Sequence, residues 1–283
     1  MHLRKMTRDD VSMGMRLKDI AGWNQAPGDW ERFLDASPEG CFVAQQEGRV
    51  CGTVTTIGYE GRFAWIGMVL VDPEYRSRGT GTRLLEKAIE YLDAAGISTM
   101  KLDATPQGKP LYEKLGFVAE YEIERWVLSE HTHRPRAVAS EARISEAGSL
   151  EDIIRTDYGV FGADRGALLR SLHRDAPDFT TTIHLQRELG GYTLGRRGSL
   201  ADHLGPWMAL SETAAQGLLE GFLSRSAGRD IFVDCLKSNP FAGRLLRASG
   251  FEFARPLTRM VRGLNAYPGR PELLCAILGP EFG

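Results

Sequence analysis

Between positions 72 and 82 the chain reads Asp72-Pro73-Glu74-Tyr75-Arg76-Ser77-Arg78-Gly79-Thr80-Gly81-Thr82, with two arginines and two glycines spaced Arg76-x-x-Gly79-x-Gly81. Glycine lets backbone N–H groups approach a ligand closely, arginine offers charge-assisted hydrogen bonds, and a helix N-terminus adds partial positive charge. These residue types in this order make an anion site, and a pyrophosphate fits it. Two nucleotide-binding patterns are excluded. No Gly-Lys-Ser/Thr follows the glycines, and the three-glycine dinucleotide fingerprint is incomplete.

The elements that must hold this loop are legible on either side of it. Met68, Val69, Leu70 and Val71 are apolar without alternation, as in a strand buried on both faces, and Pro73 ends the ladder because it has no N–H to give. Leu84, Leu85, Ala88 and Ile89 then recur at helical spacing. Upstream, residues 4 to 7 suit a first strand, and Asp9 or Asp10 caps a helix carrying Val11, Met15, Leu17 and Ile20. Residues 22 to 30 are turn chemistry holding Trp23 and Trp30, a helix passes through Phe33 and Leu34, and residues 41–44 and 50–57 read as a hairpin. Three antiparallel strands thus precede the loop. Downstream come a strand over 98–102, a short helix opened by Pro110 and ended by Gly116, and closing strands over 117–128.

Val71-x-Pro73-x-Tyr75-Arg76-x-x-Gly79-x-Gly81 followed by an apolar helix resembles the acetyl-coenzyme A signature of the GNAT acetyltransferases, and Leu111-Tyr112-Glu113-Lys114-Leu115-Gly116-Phe117 resembles their second hallmark. The resemblance implies an α/β (α+β) fold, a mixed, mostly antiparallel twisted sheet flanked by helices, and an acyltransferase with acetyl-CoA as co-substrate. It also implies that the amides of Arg76, Ser77, Arg78, Gly79, Thr80, Gly81 and Thr82 hold the pyrophosphate, while the backbone of Val69 and Val71 pairs with the pantetheine arm. Tyr112 then falls where the family keeps its proton donor to the departing thiolate, and Trp23, Asn24 and Gln25 border the acceptor pocket.

Many relatives place a basic carboxylate on the central strand, but positions 65 to 71 hold none. The base is left open among Asp103, Glu60, a residue of the second half and a water chain. Cys41, Cys51, Cys235 and Cys275 show neither metal-ligand spacing nor a nucleophile motif and read as reduced, buried thiols, so direct amine attack in a ternary complex is the simpler mechanism.

The second half repeats the first. Phe251 falls on Phe117, Pro240 on Pro106, Ile231 on Ile97 and Arg259 on Arg125 at an offset of 134, and Gly205 falls on Gly67 at an offset of 138. The missing four residues fall in the anion loop, where Ser211 to Gly217 carry no arginine and Glu212 adds negative charge. Residues 1–130 are therefore expected to form a catalytic domain and residues 141–283 a degenerate GNAT-like domain that shapes the acceptor pocket. Residues 129 to 140, with His131, His133 and Pro135, read as the linker, the histidines as solvated.

The polar residues kept in the second half are Asp157, Asp164, Arg165, Tyr192, Arg196, His203 and Arg259. Asp157 and Arg196 are expected to face the acceptor, since a charge is costly to hold in a cleft without a partner. On that reading, charge reversal at Asp157 raises the KM for the acceptor and leaves coenzyme affinity alone.

Thirty-five basic residues against thirty-seven acidic ones give a net charge of −2, which gives no reason to expect nucleic acid. No membrane span and no secretory signal are visible, so the expectation is a cytoplasmic enzyme acting on a small-molecule amine, without a metal and with its oligomeric state open. The rival is an acyl-coenzyme A sensor that binds without turnover.

Overall fold

The computed structural model describes residues 1–131, 144–145, 149–185, 188–226 and 228–283, so the expected linker beyond His131 lies outside the described residues apart from its first three positions. The first half gives β1 (His2–Lys5), α1 (Val11–Ile20), α2 (Pro27–Ala36), β2 (Phe42–Gln46), β3 (Arg49–Tyr59), β4 (Phe63–Val71), α3 (Thr80–Ala94), β5 (Met100–Ala104), α4 (Lys109–Lys114) and β6 (Val118–Leu128). The second gives β7 (Ile144–Ser145), α5 (Leu150–Phe161), α6 (Gly166–Asp175), β8 (Thr181–Leu185), β9 (Glu188–Arg197), β10 (Asp202–Ala209), α7 (Glu212–Arg225), β11 (Ile231–Leu236), α8 (Ala242–Ala248), β12 (Glu252–Arg262) and β13 (Leu274–Ala276).

The chain divides into two units, and neither is one continuous stretch. Unit 1 comprises Met1–Glu120, Arg259–Ala266 and Glu281–Gly283; unit 2 comprises Tyr121–Thr258 and Tyr267–Pro280. A split at the linker, into 1–130 and 141–283, does not describe this arrangement. Each unit takes its closing strand from the other half of the sequence. The closing strands expected over 117–128 are one uninterrupted strand, because that stretch contains no Gly, Pro, Asn or Asp to turn it.

In unit 1 the strand order is β1-β2-β3-β4-β5, followed by the end of β12 from Arg259 onward. The first four strands are antiparallel neighbours, whereas β4 and β5 run parallel and pair only at Ala64↔Met100 and Trp65↔Lys101. One face of this sheet packs Ala64, Ile66, Met100, Leu102 and Ala104 against Leu84, Leu85, Ala88, Ile89 and Leu92 of α3. On α1 the inward residues are Gly14, Leu17 and the stem of Lys18, while Ile20 is exposed; Trp30 is fully buried, and a Cβ at Gly14 would lie 2.9 Å from its ring.

In unit 2 the order is β6-β11-β13-β10-β9-β8-β7. Here too the parallel pair, β10 and β11, touches only over three residues, Asp202↔Ile231 to Leu204↔Val233, and then parts. The short strand β13 fills the parting, pairing antiparallel with both: Trp207↔Ala276 on one side and Cys235↔Ala276 on the other. Its core is built on Trp207, Phe222, Leu218, Phe179 and Trp126.

The borrowed strand of each unit carries the same lock. Arg259 binds Asp103 of β5 through Nε and Nη2, both at 2.8 Å, and Arg125 of β6 binds Asp234 of β11 in the same bidentate way at 2.8 and 2.7 Å. All four side chains are buried, with Asp103 and Asp234 at zero exposure. Breaking a buried pair by removing one partner costs roughly 3–5 kcal/mol, because the charge left behind has lost its water as well as its partner. Arg259→Ala is therefore expected to lower unfolding free energy by about that much in denaturant titration, and pairing it with Asp103→Leu recovers much of the loss.

Candidate active site

The site is built on β4, the anion loop and α4, all in unit 1. Asp72 sits beyond the end of β4 with its carboxylate accepting from the Glu74 amide at 3.1 Å and from Arg16 Nη1 at 2.7 Å; that ion pair holds its carboxyl below the usual carboxylate range despite burial. One tight turn follows (Pro73–Tyr75), and then Ser77 and Gly79 take positive φ angles of 60° and 79°. Gly79 is the residue before α3 and caps it with no side chain, which leaves the first-turn N–H groups of the helix without a protein acceptor of the usual kind. That arrangement fits an anion.

The two arginines are placed differently. Arg76 uses its own amide on Pro73 O at 3.3 Å and its Nε on Val71 O at 3.0 Å, so it fastens the loop to the end of the strand. Arg78 lies exposed beside the ring of Tyr75, 5.7 Å from its centroid. Ser77 and Gly79 are exposed, Gly81 and Thr82 half-buried, and Thr80 is buried with its hydroxyl donating to Tyr75 O at 3.2 Å.

Val69 and Val71 lie where β4 has parted from β5, and no strand of the described residues runs between the two strands there. The bend comes from Met68, whose φ of +50° is rare for a residue with a side chain; its carbonyl accepts from Thr53 Oγ1 at 2.7 Å, across a register shift in the β3–β4 ladder. Nothing in an apolar run of sequence betrays such a bulge.

α4 is brought to this place by packing. A Cβ on Gly81 would lie 3.6 Å from both Leu111 and Val71, and Val69, Val71, Tyr75, Leu111 and Tyr112 all pack against the same core. The Tyr112 ring meets Phe117 edge-on at 6.1 Å, and burial pushes its phenol up to about 12. Gly108 makes room for it: a Cβ there would stand 2.9 Å from Tyr112 Cε2.

Of the residues expected to border an acceptor, Trp23 is half-exposed, with its carbonyl accepting from Lys18 Nζ at 3.4 Å, whereas Asn24 and Gln25 are buried. Gln25 Oε1 has no hydrogen-bond partner among the described residues, which leaves it available to a ligand. Asp103 is engaged on both oxygens by Arg259, so neither a base nor an acceptor ligand is found there.

Asp157 and Arg196 lie in unit 2, in two separate buried networks. Asp157 accepts two bonds from Arg165 at 2.7 and 2.9 Å and one from Tyr192 Oη at 2.6 Å, and Arg165 lies over Phe161 at 4.0 Å. Arg196 meets His203 at 3.3 Å, and His203 Nε2 reaches Asp234 at 3.2 Å. The charge of Asp157 is met inside unit 2 by Arg165, and Arg196 lies against His203 of the same unit. The four cysteines are free and buried, with burial pushing Cys41 up to about 11 and Cys235 up to about 12, which keeps them protonated and poor nucleophiles.

The corresponding place in unit 2 differs in two ways. Ser211 caps α7 with its own hydroxyl, taking the Ala214 amide at 3.2 Å, and Glu212 stands in the first turn. β13 occupies the parting beside Trp207 and Met208, which fall on Val69 and Leu70 at the offset of 138.

The sequence profile of the acetyltransferase (GNAT) family matches residues 14–117, and that of an acetyltransferase (GNAT) domain matches residues 153–276. The uncharacterized N-acetyltransferase YitH of Bacillus subtilis is 31% identical over 220 residues, covering 76% of this chain and 75% of its own. The chain belongs to the GNAT acetyltransferase family. Holothin acyltransferase of Pseudoalteromonas is 26% identical over 92% of this chain and 87% of its own. A crystal structure from Pyrococcus horikoshii assigned as an acetyltransferase superposes with a TM-score of 0.83 at 24% identity, covering 100% of this chain and 95% of that one. A GCN5-related N-acetyltransferase from Sphaerobacter thermophilus does so with a TM-score of 0.69 at 14% identity, over 93% and 95%.

This GNAT protein is thus an acyltransferase with two tandem GNAT domains, and the family generally uses acyl-coenzyme A donors. No helix among the described residues is long and apolar enough to cross a membrane.

Two outcomes follow from the geometry. Gly108→Ala displaces Tyr112 and is expected to lower kcat at least about tenfold while coenzyme affinity, read by calorimetry, stays within a factor of about two. Asp157→Lys leaves Arg165 facing a like charge in a buried site and is expected to lower the melting temperature, not to raise one KM selectively as the sequence suggested.

Proposed function

We propose that the protein is an N-acetyltransferase that moves an acetyl group from acetyl-CoA to a primary amine of a small molecule by direct attack in a ternary complex, with unit 1 as the catalytic domain. The observation that carries this reading is the contrast between the two partings: beside Val69 and Val71 no strand of the described residues intervenes, and beside Trp207 the chain's own β13 does. An extended pantetheine arm suits the first, pairing with β4 as a strand would.

In this reading residues 76 to 82 hold the pyrophosphate, chiefly through the amides at the start of α3 and the side chain of Arg78, while Arg76 keeps the loop on β4. Tyr112 donates a proton to the departing thiolate. With its phenol at about 12 it stays protonated across the working range and is a donor, not a base. The buried Gln25 and Asn24, with Trp23, border the amine, and their polar atoms suit a compact acceptor. The similarity to a protein named for holothin acylation over nearly the whole chain supports acyl transfer as the reaction. Unit 2 is the degenerate copy, with its helix capped by Ser211 and its parting filled.

Thiol release from acetyl-CoA against a panel of amines, amino acids, polyamines and aminoglycosides is the test, with turnover on one amine class expected. Coenzyme binding without turnover on any amine would indicate a sensor instead. Tyr112→Phe is expected to lower kcat by about 100-fold or more with coenzyme affinity kept. Because Tyr112 ionises only near 12, the unaltered enzyme should show no loss of kcat from its ionisation between pH 7 and about 10, whereas a phenol at its ordinary value of about 10 would begin to fail there.

A further inference from the structure

By charge alone, a carboxylate beside a pyrophosphate site is out of place, since two anions repel. Asp72 is such a carboxylate: it joins β4 to the anion loop, four positions before Arg76, and it is buried. Its contacts show what it does there. Oδ1 accepts from the Glu74 amide at 3.1 Å and Oδ2 from Arg16 Nη1 at 2.7 Å, while the Asp72 amide donates to Cys51 O at 2.9 Å and its carbonyl accepts from the Tyr75 amide at 2.8 Å. With both backbone groups and both side-chain oxygens bonded, the direction in which the chain leaves β4 is set at this residue.

Burial by itself would raise the Asp72 carboxyl. The bonds from Arg16 and the Glu74 amide, with the more distant charge of Arg49, hold it below the usual carboxylate range, so it stays ionised at neutral pH. Its negative charge is therefore spent on the turn and on Arg16.

Two of the tethers on this loop belong to the stretch itself, Arg76 Nε on Val71 O at 3.0 Å and the Thr80 hydroxyl on Tyr75 O at 3.2 Å. Arg16 comes from another element. It projects from α1, a helix seated by its buried Gly14, Leu17 and Lys18, and it reaches Asp72 across fifty-six positions of sequence with its own side chain 40% exposed. The contact runs from one guanidinium nitrogen to one oxygen, unlike the fork that Arg259 makes on Asp103.

We propose that Arg16 is a positioning residue for the coenzyme: by holding Asp72 it sets the turn from which the anion loop opens, and so aims the amides at the start of α3. The inference rests on the reading of residues 76 to 82 as the pyrophosphate site. It makes a prediction opposite in sign to simple electrostatics. Removing a negative charge beside an anion site should tighten binding through space, whereas loss of the Asp72 carboxylate should loosen it by freeing the turn.

The test is calorimetry of acetyl-CoA with the unaltered protein, Arg16→Ala, Arg16→Lys, Asp72→Asn and the double variant Arg16→Ala/Asp72→Asn, each checked by thermal melting. Arg16→Ala is expected to weaken coenzyme binding about tenfold and to raise the KM for acetyl-CoA alike, with kcat at saturating coenzyme within a factor of about two. Arg16→Lys should recover most of that affinity, because a single-point contact does not need a fork. Asp72→Asn should weaken binding to a similar degree, and the double variant should be no weaker than the worse single one, as expected of two residues acting through one contact. Unchanged affinity in Arg16→Ala, tighter binding in Asp72→Asn, or a double variant that regains the affinity of the unaltered protein each overturns the proposal. If Asp72→Asn does not fold, the two Arg16 variants decide: full affinity in the alanine variant, or no recovery by lysine, also overturns it. Failure of the unaltered chain to bind acetyl-CoA would instead count against the parent reading, which keeps the two failures apart.

Discussion

Arg259 on Asp103 and Arg125 on Asp234 are the same interaction made twice, and the two units close on them. In each, an arginine on a strand borrowed from the other half of the sequence binds, bidentately, an aspartate on the parallel strand that lines the parting. A fork-shaped guanidinium matches a carboxylate in geometry as well as charge, so the pair fixes register as well as adding attraction. Each arginine also lies over an aromatic ring, Trp65 for Arg259 and Phe232 for Arg125, which shields the pair further. Without the borrowed strand β5 would present an open edge beside the parting, so the geometry there depends on a residue more than 150 positions away in sequence.

Given that frame, the two copies diverged by what fills the gap. Both keep a parallel pair that touches briefly and parts, and both keep a glycine on the strand before the parting, Gly67 and Gly205, each with backbone from the far C-terminal stretch packed against it. In unit 1 that stretch is Glu281, lying over the strand; in unit 2 it is Ile277, next to β13 in the gap itself. In unit 2 the chain's own β13 fills the gap and Ser211 caps the helix.

The anion loop was legible in the sequence because its chemistry is local: glycine, arginine and a helix start within eleven residues. The strands on either side of the loop were legible from their apolar runs, and the repeat from its offsets of 134 and 138. The exchange of closing strands was not, since an apolar strand pairs as well with one edge as another, and only the lack of turn residues in β6 and the matching of Arg125 with Arg259 hinted at it. Asp103 and Asp157 looked like ligand contacts because their partners, Arg259 and the Arg165–Tyr192 pair, come from other elements of the fold. Met68 gave no signal at all, as its left-handed backbone is imposed by the bulge, and Glu281 is set on β4 by Phe282 and Tyr59, contacts that sequence spacing does not encode.

The central claim is that one of the two copies holds the coenzyme and the other has sealed its place against it. Titration calorimetry of acetyl-CoA into the whole chain measures this directly through its stoichiometry. One coenzyme per chain, abolished by Gly79→Asp at the start of α3 and unaffected by Ser211→Ala at the start of α7, is the result predicted. Two coenzymes per chain, or one that survives the change at Gly79, would contradict it.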